Sequence, residues 1–390
     1  MGIQTRAVKG AYSVEYVLGG EQVSRLFVRD LRMRIGGAAL RMGGIADVET
    51  KDEYRRRGYA RQALARAVEL MREHGYDIST LFGISDFYPR WGYVPIFPET
   101  RLMVALRDAM HAHLVYPVRR LQRHELPLTL ELYQRNNAAR TGAIVRQRDT
   151  WIGFRHGSRY RWPTNVYGAF DGQSAHRPAV GPPTGALMGY AVIDRSPAEA
   201  IVPEVGYRSE QVFSTLMAAA ARQARRVHSE QIHILAPPDH PFAEYCKQLG
   251  CRLMIHYHRS GGAMGRIINI ETCFERLTGG TPPAGELTRR LRASRLDWNG
   301  RLAIVSDIGE VTLRIEGGVV AAARDRNLRV PVPRARLSIP QGLLTQLLFG
   351  YRDAADVLRA KGVSLRHAPV ELIQALFPCG YAYVWRPDYF

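Results

Sequence analysis

A chain of 390 residues with 46% apolar and 23% charged side chains is long enough for two or three domains with a real core. It is too balanced in composition for a disordered or fibrous protein. The formal net charge of +18 invites a nucleic-acid reading. Yet the lysines are only Lys9, Lys51, Lys247 and Lys361, and the arginines are scattered throughout rather than gathered into a stripe. Nucleic acid is therefore not the expected partner. No run approaches the ~18 apolar residues of a membrane span, and residues 1–20 lack the apolar core of a secretion signal, so a cytoplasmic chain is expected.

In chain order, residues 23–30 and 31–35 are β-like, and Gly36-Gly37 suits a tight turn into a strand at 38–42. An apolar run follows at 45–50, then Tyr54-Arg55-Arg56-Arg57-Gly58-Tyr59-Ala60. From Ala60 the small and apolar positions Ala63, Leu64, Ala67, Val68 and Met71 repeat with the spacing of one helical face. A strand, a glycine-bearing basic loop and a helix start make a place for phosphate. The first N–H groups of a helix lack intrahelical partners, and its dipole favours an anion there. Gly58 lets the backbone come close to a ligand, and Arg55 and Arg56 add charge-assisted hydrogen bonds. After the helix, Gly75 marks its end and residues 78–84 read as a buried strand. An aromatic turn, Asp86-Phe87-Tyr88-Pro89-Arg90-Trp91-Gly92-Tyr93, comes next.

The first segment thus spans 1–112. A second, 113–277, reads as an echo of it: strand at 187–193, helix at 212–226, strand at 231–236, and an aromatic stretch at 242–251. Its helix is preceded by Val205-Gly206-Tyr207-Arg208-Ser209-Glu210, without the basic glycine loop. Residues 171–185 read as an irregular loop, and 278–285 as a Gly/Pro linker. A third segment, 286–390, shows strands at 302–305, 311–315 and 319–323, then helix in the 340s and 350s with Leu343, Leu344, Leu347 and Leu348 on one face. The cysteines Cys246, Cys251, Cys273 and Cys379 have no paired C-x-x-C spacing and are read as buried, reduced thiols. His256 and His258 share one face of a strand, but with no third ligand evident no metal is assigned.

The loop Arg55-x-x-Gly58-x-Ala60, placed between a strand and an amphipathic helix, resembles the pyrophosphate loop of the GNAT superfamily of N-acetyltransferases. The Phe87-Tyr88-x-x-x-Gly92-Tyr93 turn is similar to that superfamily's tyrosine-bearing turn beside the thioester. The stretch Leu337-Ser338-Ile339-Pro340-Gln341-Gly342-Leu343-Leu344, following strands with Gly-rich turns, resembles a sterol-carrier-like domain. With the ending Trp385-Arg386-Pro387-Asp388-Tyr389-Phe390, nearly the whole chain resembles the enhanced intracellular survival (Eis) family. The implied fold is α/β (α+β): tandem GNAT-like domains, the first intact in its CoA loop and the second vestigial, then a sterol-carrier-like domain that is a lipid pocket or only a scaffold.

The resemblance implies an acetyl-CoA-dependent N-acetyltransferase acting on a primary amine, in a small molecule or a protein lysine. It implies Arg55, Arg56, Gly58 and Ala60 as the CoA loop, and Val48 and Thr50 as strand residues whose backbone meets the pantetheine arm. Tyr88 is implied as general acid and the Phe390 α-carboxylate as general base, in direct transfer without a covalent intermediate. A homo-oligomer, a trimer-based hexamer, is implied as well. Asp47 and Glu49 are rival bases, since relatives outside the family use a strand glutamate there, and Arg90 is expected to orient the turn or pair a carboxylate. The chain departs from the superfamily ahead of Gln22, where only about twenty residues stand in place of a strand and two helices that wall the acceptor groove. The wall would then come from another subunit or segment, or the groove would be open, or the sequence would lack its true start. The alternative function is a non-catalytic scaffold that binds CoA or lipid.

Overall fold

The computed structural model describes residues 2–172, 185–279, 285–323 and 334–390. Most of the loop expected at 171–185 and of the linker at 278–285 lies outside the described residues. The chain opens with an antiparallel meander: β1 (Gly2–Val8), β2 (Ala11–Leu18), β3 (Glu21–Ile35) and β4 (Ala38–Thr50). The β-like runs at 23–30 and 31–35 are one strand, because β3 pairs with β4 without a break through Asp30 and Leu31, opposite Gly43 and Met42. Helix α1 (Tyr59–Glu73) then crosses over to β5 (Ile78–Gly83), which runs parallel to β4, the usual consequence of a helical crossover. Short β6 (Val94–Pro95) and β7 (Glu99–Ala105) follow.

Helix α2 (Leu106–Ala109) closes the first segment, and the second contains β8 (Val118–Arg120), α3 (Thr129–Asn136), β9 (Thr164–Phe170), β10 (Leu187–Asp194), β11 (Ala200–Val202), β12 (Glu204–Tyr207) and α4 (Phe213–Arg226). It continues with β13 (Gln231–Ile234), α5 (Pro241–Leu249), β14 (Arg252–His256), β15 (Gly262–Ile267) and α6 (Ile270–Thr278). Two strands cross between the segments. The first sheet has the order β1-β2-β3-β4-β5-β15-β6, so the second segment supplies one of its inner strands, while β7 of the first segment lies inside the sheet β11-β13-β7-β14. A third sheet, β12-β10-β9-β8, completes this half. The aromatic stretch expected at 242–251 is instead the regular helix α5, started by Pro241 at its first turn and by the His240 Nδ1, which accepts from Phe242 N at 3.1 Å.

The third segment contains α7 (Glu286–Ser294), β16 (Gly300–Ser306), β17 (Gly309–Glu316), β18 (Val319–Ala322), β19 (Arg334–Ser338), α8 (Gln341–Leu348), α9 (Ala354–Leu358), β20 (Ser364–Arg366) and α10 (Val370–Leu376), with sheet order β18-β17-β16-β19-β20. It does not hang from a linker. Met33, Ile35, Leu40, Met42 and Ile78 of the first sheet share one buried cluster with Leu302, Ile304, Leu337 and Leu344. On its other face the first sheet is covered by α1, which buries Ala63, Leu64, Ala67, Val68 and Met71. Among the described residues no helix is long and apolar enough to cross a membrane. Cys246 and Cys273 are buried thiols as expected, whereas Cys251 is half-buried and Cys379 exposed.

His240 is buried, at 4% exposure, between Tyr207 and Trp385. Burial, with Arg140 nearby, holds its imidazole protonation down to about 3. The unfolded chain takes up that proton near 6.5 and the folded chain does not, so acidification from about pH 6.5 toward 3 costs stability. Thermal melts across this window should fall more steeply for the wild type than for a His240→Asn variant, whose amide oxygen preserves the cap. Parallel slopes would remove His240 from the acid response.

Candidate active site

The basic loop forms a cradle at the start of α1. Gly58 caps the helix at φ 83°, a left-handed conformation that glycine takes without strain, and no side chain occupies the cap. The first helical backbone bond runs from Gln62 N to Gly58 O, so the preceding N–H groups point outward without helical partners. No acidic residue stands in the first turn. Arg55, Arg56 and Arg57 are exposed around this mouth. Arg55 donates to Thr50 O at 3.3 Å and pairs with Asp52 at 2.8 Å, and Arg57 lies over the Tyr54 ring. The Arg61 side chain, which sequence spacing did not single out, stands beside the open face of Gly58. The matching helix start of the second segment is different: there Ser209 Oγ accepts from Gln211 N and Glu210 sits in the first turn. That end supplies its own acceptor and repels an anion.

Next to the cradle, β4 and β5 part. Their pairing runs only from Met42 opposite Ile78 to Ile45 opposite Leu81. Beyond it β4 continues through Val48 to Thr50 with its β5-side edge unpaired. The cause is a bulge: Arg25 faces Glu49 but Phe27 faces Ala46, and Asp47 takes φ 48°. A bulge bends and twists its strand, here away from β5. Val48 packs on the α1 core and Thr50 Oγ1 meets Ser24 Oγ at 2.9 Å.

Tyr88 and Phe390 flank the parted strands. Tyr88 begins a 3-10 turn, Tyr88–Trp91, closed by Gly92 at φ 75°. Its ring lies against Gly83 of β5, where a Cβ would collide with it, on the face covered by α1. Burial pushes its hydroxyl above the ordinary tyrosine value. The Phe390 ring lies over Gly44, where a Cβ would fall 2.5 Å from Cε2, and edge-on to Phe82 at 5.2 Å. Tyr389 stacks on the same Phe82 at 3.6 Å. Because successive strand residues face opposite ways, Phe82 and Gly83 present Phe390 and Tyr88 to opposite faces of one strand end. A reacting group threaded between β4 and β5 would have one on each side.

Residues 3–96 match the acetyltransferase (GNAT) domain family. This is the GNAT acetyltransferase fold. Three solved structures share the overall fold of nearly the whole chain: a probable N-acyltransferase from Enterococcus faecalis (TM-score 0.72, 15% identity, 98% of this chain and 90% of that one), a GCN5-related N-acetyltransferase from Kribbella flavida (0.69, 20%, 97% and 87%), and Eis1 from Mycobacterium abscessus (0.61, 13%, 97% and 90%). No curated protein matches the chain in sequence.

In this GNAT unit the rival bases are already engaged. Glu49 is ion-paired with Arg25, and Asp47 is held by Arg29 at 3.2 Å and by the Tyr160 hydroxyl at 3.2 Å. Arg90 is exposed; the turn's ion pair runs instead from Asp86 to Arg259 at 2.8 Å, and Ser260 Oγ accepts from Asp86 N. Among the described residues ahead of Gln22 stand only the strands β1 and β2 and the start of β3, with no helix. The second segment reaches across as well: Gly142 and Val145 hydrogen-bond to Arg34 and Arg32 of β3, and Tyr160 reaches Asp47. His256 and His258, left without a third ligand in the sequence, stand beside Glu99.

What places Phe390 is a strap from residue 381 onward. Tyr383 OH donates to Leu235 O at 2.8 Å, and Trp385 Nε1 donates to Asn137 Oδ1 at 2.8 Å. Asp388 accepts from Arg146 Nε at 2.7 Å and from Tyr133 OH at 2.9 Å. The buried Arg146 forks onto Glu204 (Nη1 to Oε1, 2.8 Å; Nη2 to Oε2, 2.5 Å), and Tyr190 OH also donates to Glu204. Burial pushes Glu204 upward, against the pull of Arg146. Breaking a buried pair strands a charge at a cost of about 3–5 kcal/mol. Arg146→Met should lower unfolding free energy by about that amount, and chemical denaturation checks it. A loss below about 1 kcal/mol, the scale of an exposed pair, would show the network is not what anchors the strap.

Proposed function

We propose that the chain transfers the acetyl group of acetyl-CoA directly to a primary amine, of a small molecule or of a protein lysine. One observation carries this reading: an uncapped helix start, with no acid in its first turn and ringed by arginines, follows the strand whose parting from β5 opens a cleft flanked by Tyr88 and Phe390. Arg55 and Arg56, with the N–H groups around Gly58 and Ala60, hold the diphosphate of the co-substrate. The unpaired edge of β4 at Val48 and Thr50 takes the amide arm, as an added strand would. Backbone N–H groups of the same edge stabilise the oxyanion formed on attack.

An ammonium group is no nucleophile until it loses a proton. The Phe390 α-carboxylate takes that proton on one face of the cleft. Tyr88, kept protonated by burial, gives one to the departing thiolate on the other. Positioned acid and base groups each contribute ~10²–10⁴-fold. The second segment, whose helix start is capped by Ser209, serves as a partner fold without a co-substrate site. The third, sterol-carrier-like in sequence, serves as the scaffold that delivers the strap. Resemblance to the Eis family adds a homo-oligomer, a trimer-based hexamer, to the proposal, and the lack of a signal core and of a membrane span in the sequence adds a cytoplasmic location; sedimentation of the purified chain tests the assembly.

Reversing the cradle by Arg55→Glu and Arg56→Glu should weaken acetyl-CoA binding in calorimetry by at least tenfold, the value of ~1.4 kcal/mol. Unchanged affinity would dispose of the cradle. Deleting Phe390 should lower kcat by ~10²–10⁴-fold while acetyl-CoA affinity stays near wild type; full turnover in the shortened chain would hand the base role to Glu49. Because burial raises Tyr88, the rate should hold on the alkaline side up to about pH 10. An earlier fall that Tyr88→Phe abolishes would contradict its role as a protonated acid. Acetyl-CoA binding without transfer to any amine in a broad panel would favour a CoA-binding scaffold instead.

A further inference from the structure

Outside the cleft, β7 and β14 bring together a set of side chains that acetyl transfer does not use. Glu99 and His256 are directly opposite in the antiparallel register, so their side chains share a face. His258 follows two residues later, and the two imidazoles lie with ring centroids 4.3 Å apart. Ligand atoms of Glu99, His256 and His258 all lie within 4.8 Å of one another. Gly262, at φ 65°, makes room for the His258 ring: a Cβ there would fall 2.7 Å from Cδ2. His258 Nε2 is buried and makes no hydrogen bond; its nearest charged neighbour is Glu99 Oε1 at 3.5 Å. A buried polar nitrogen without a partner is costly, and here it is aimed at a carboxylate and beside a second imidazole.

We propose that Glu99, His256 and His258 form a binding site for a divalent transition-metal ion of the zinc type. Two imidazoles and one carboxylate make a three-protein-ligand set that leaves a fourth position open, and His256 is exposed. Imidazole donors select Zn, Cu, Ni or Fe over Mg and Ca. With metal–ligand bonds of about 2.0–2.2 Å, the three atoms need to close by about an ångström, within reach of χ rotations at the end of a strand. One neighbour competes: Arg386 Nη2 stands 3.5 Å from Glu99 Oε1. The ion therefore shares or displaces that contact, while the second carboxylate oxygen remains available.

The test uses the full chain, stripped with a chelator and titrated with Zn²⁺ against a chromophoric competitor. One equivalent should bind, and Mg²⁺ and Ca²⁺ should not displace it. His256→Ala, His258→Ala and Glu99→Gln should each weaken binding by at least the roughly 10–100-fold that loss of even a supporting partner costs. His228→Ala, an exposed histidine elsewhere, should leave it unchanged. Because a ligand variant can misfold, Co²⁺ is also added to the wild type, where two imidazole N–H resonances should appear in the paramagnetically shifted NMR region. No stoichiometric Zn²⁺, wild-type affinity in all three variants, or a Co²⁺ form without shifted imidazole signals would each overturn the site.

Discussion

Everything about the cleft depends on where one buried guanidinium holds the end of the strap. Arg146 is flanked by Glu204 and Asp388 and lies over the Tyr133 ring at 3.6 Å. Such a cluster gains little over an apolar core in net stability, because desolvation offsets most of the attraction. What it gains is position: a bidentate fork and two tyrosine hydroxyls permit one arrangement of the backbone at Asp388. Two residues later that backbone delivers Phe390 to Gly44 and Phe82. An apolar anchor could slide; this one has directional bonds on each side.

The three segments are accordingly one machine rather than beads on a string. The third packs on the first sheet, the strap then runs through the second segment's core with Tyr383 and Trp385, and it finishes on the first. The second segment also pins the aromatic turn through Arg259 and Ser260 and meets β3 near Arg32 and Arg34. The first segment thus draws part of its surroundings from the rest of the same chain.

The sequence was most legible where local chemistry decides the structure. The spacing of Ala63, Leu64, Ala67, Val68 and Met71 defined α1, and Gly58 marked its start, because helix faces and caps are short-range properties. The same rules exposed the lack of a basic glycine loop ahead of α4. Long-range pairing was not legible. Nothing within 99–105 says that this strand leaves its own segment, and nothing within 262–267 says that it joins β5, since alternation gives a face but not a partner. The third ligand beside His256 was hidden for this reason, as Glu99 is adjacent only through register. The aromatic stretch at 242–251 misled because Phe and Tyr mark a buried helix face as readily as a turn.

The crossing of β15 into the first sheet bears on biosynthesis. As the chain leaves the ribosome, β5 is made long before its neighbour, and β6 has no sheet to join until β15 arrives. Until then a row of amide groups along β5 stands open, the kind of edge that invites pairing with a stranger. Vectorial synthesis therefore cannot finish the first sheet before the second segment is made. The nascent amino-terminal half must wait, exposed, for its sequel.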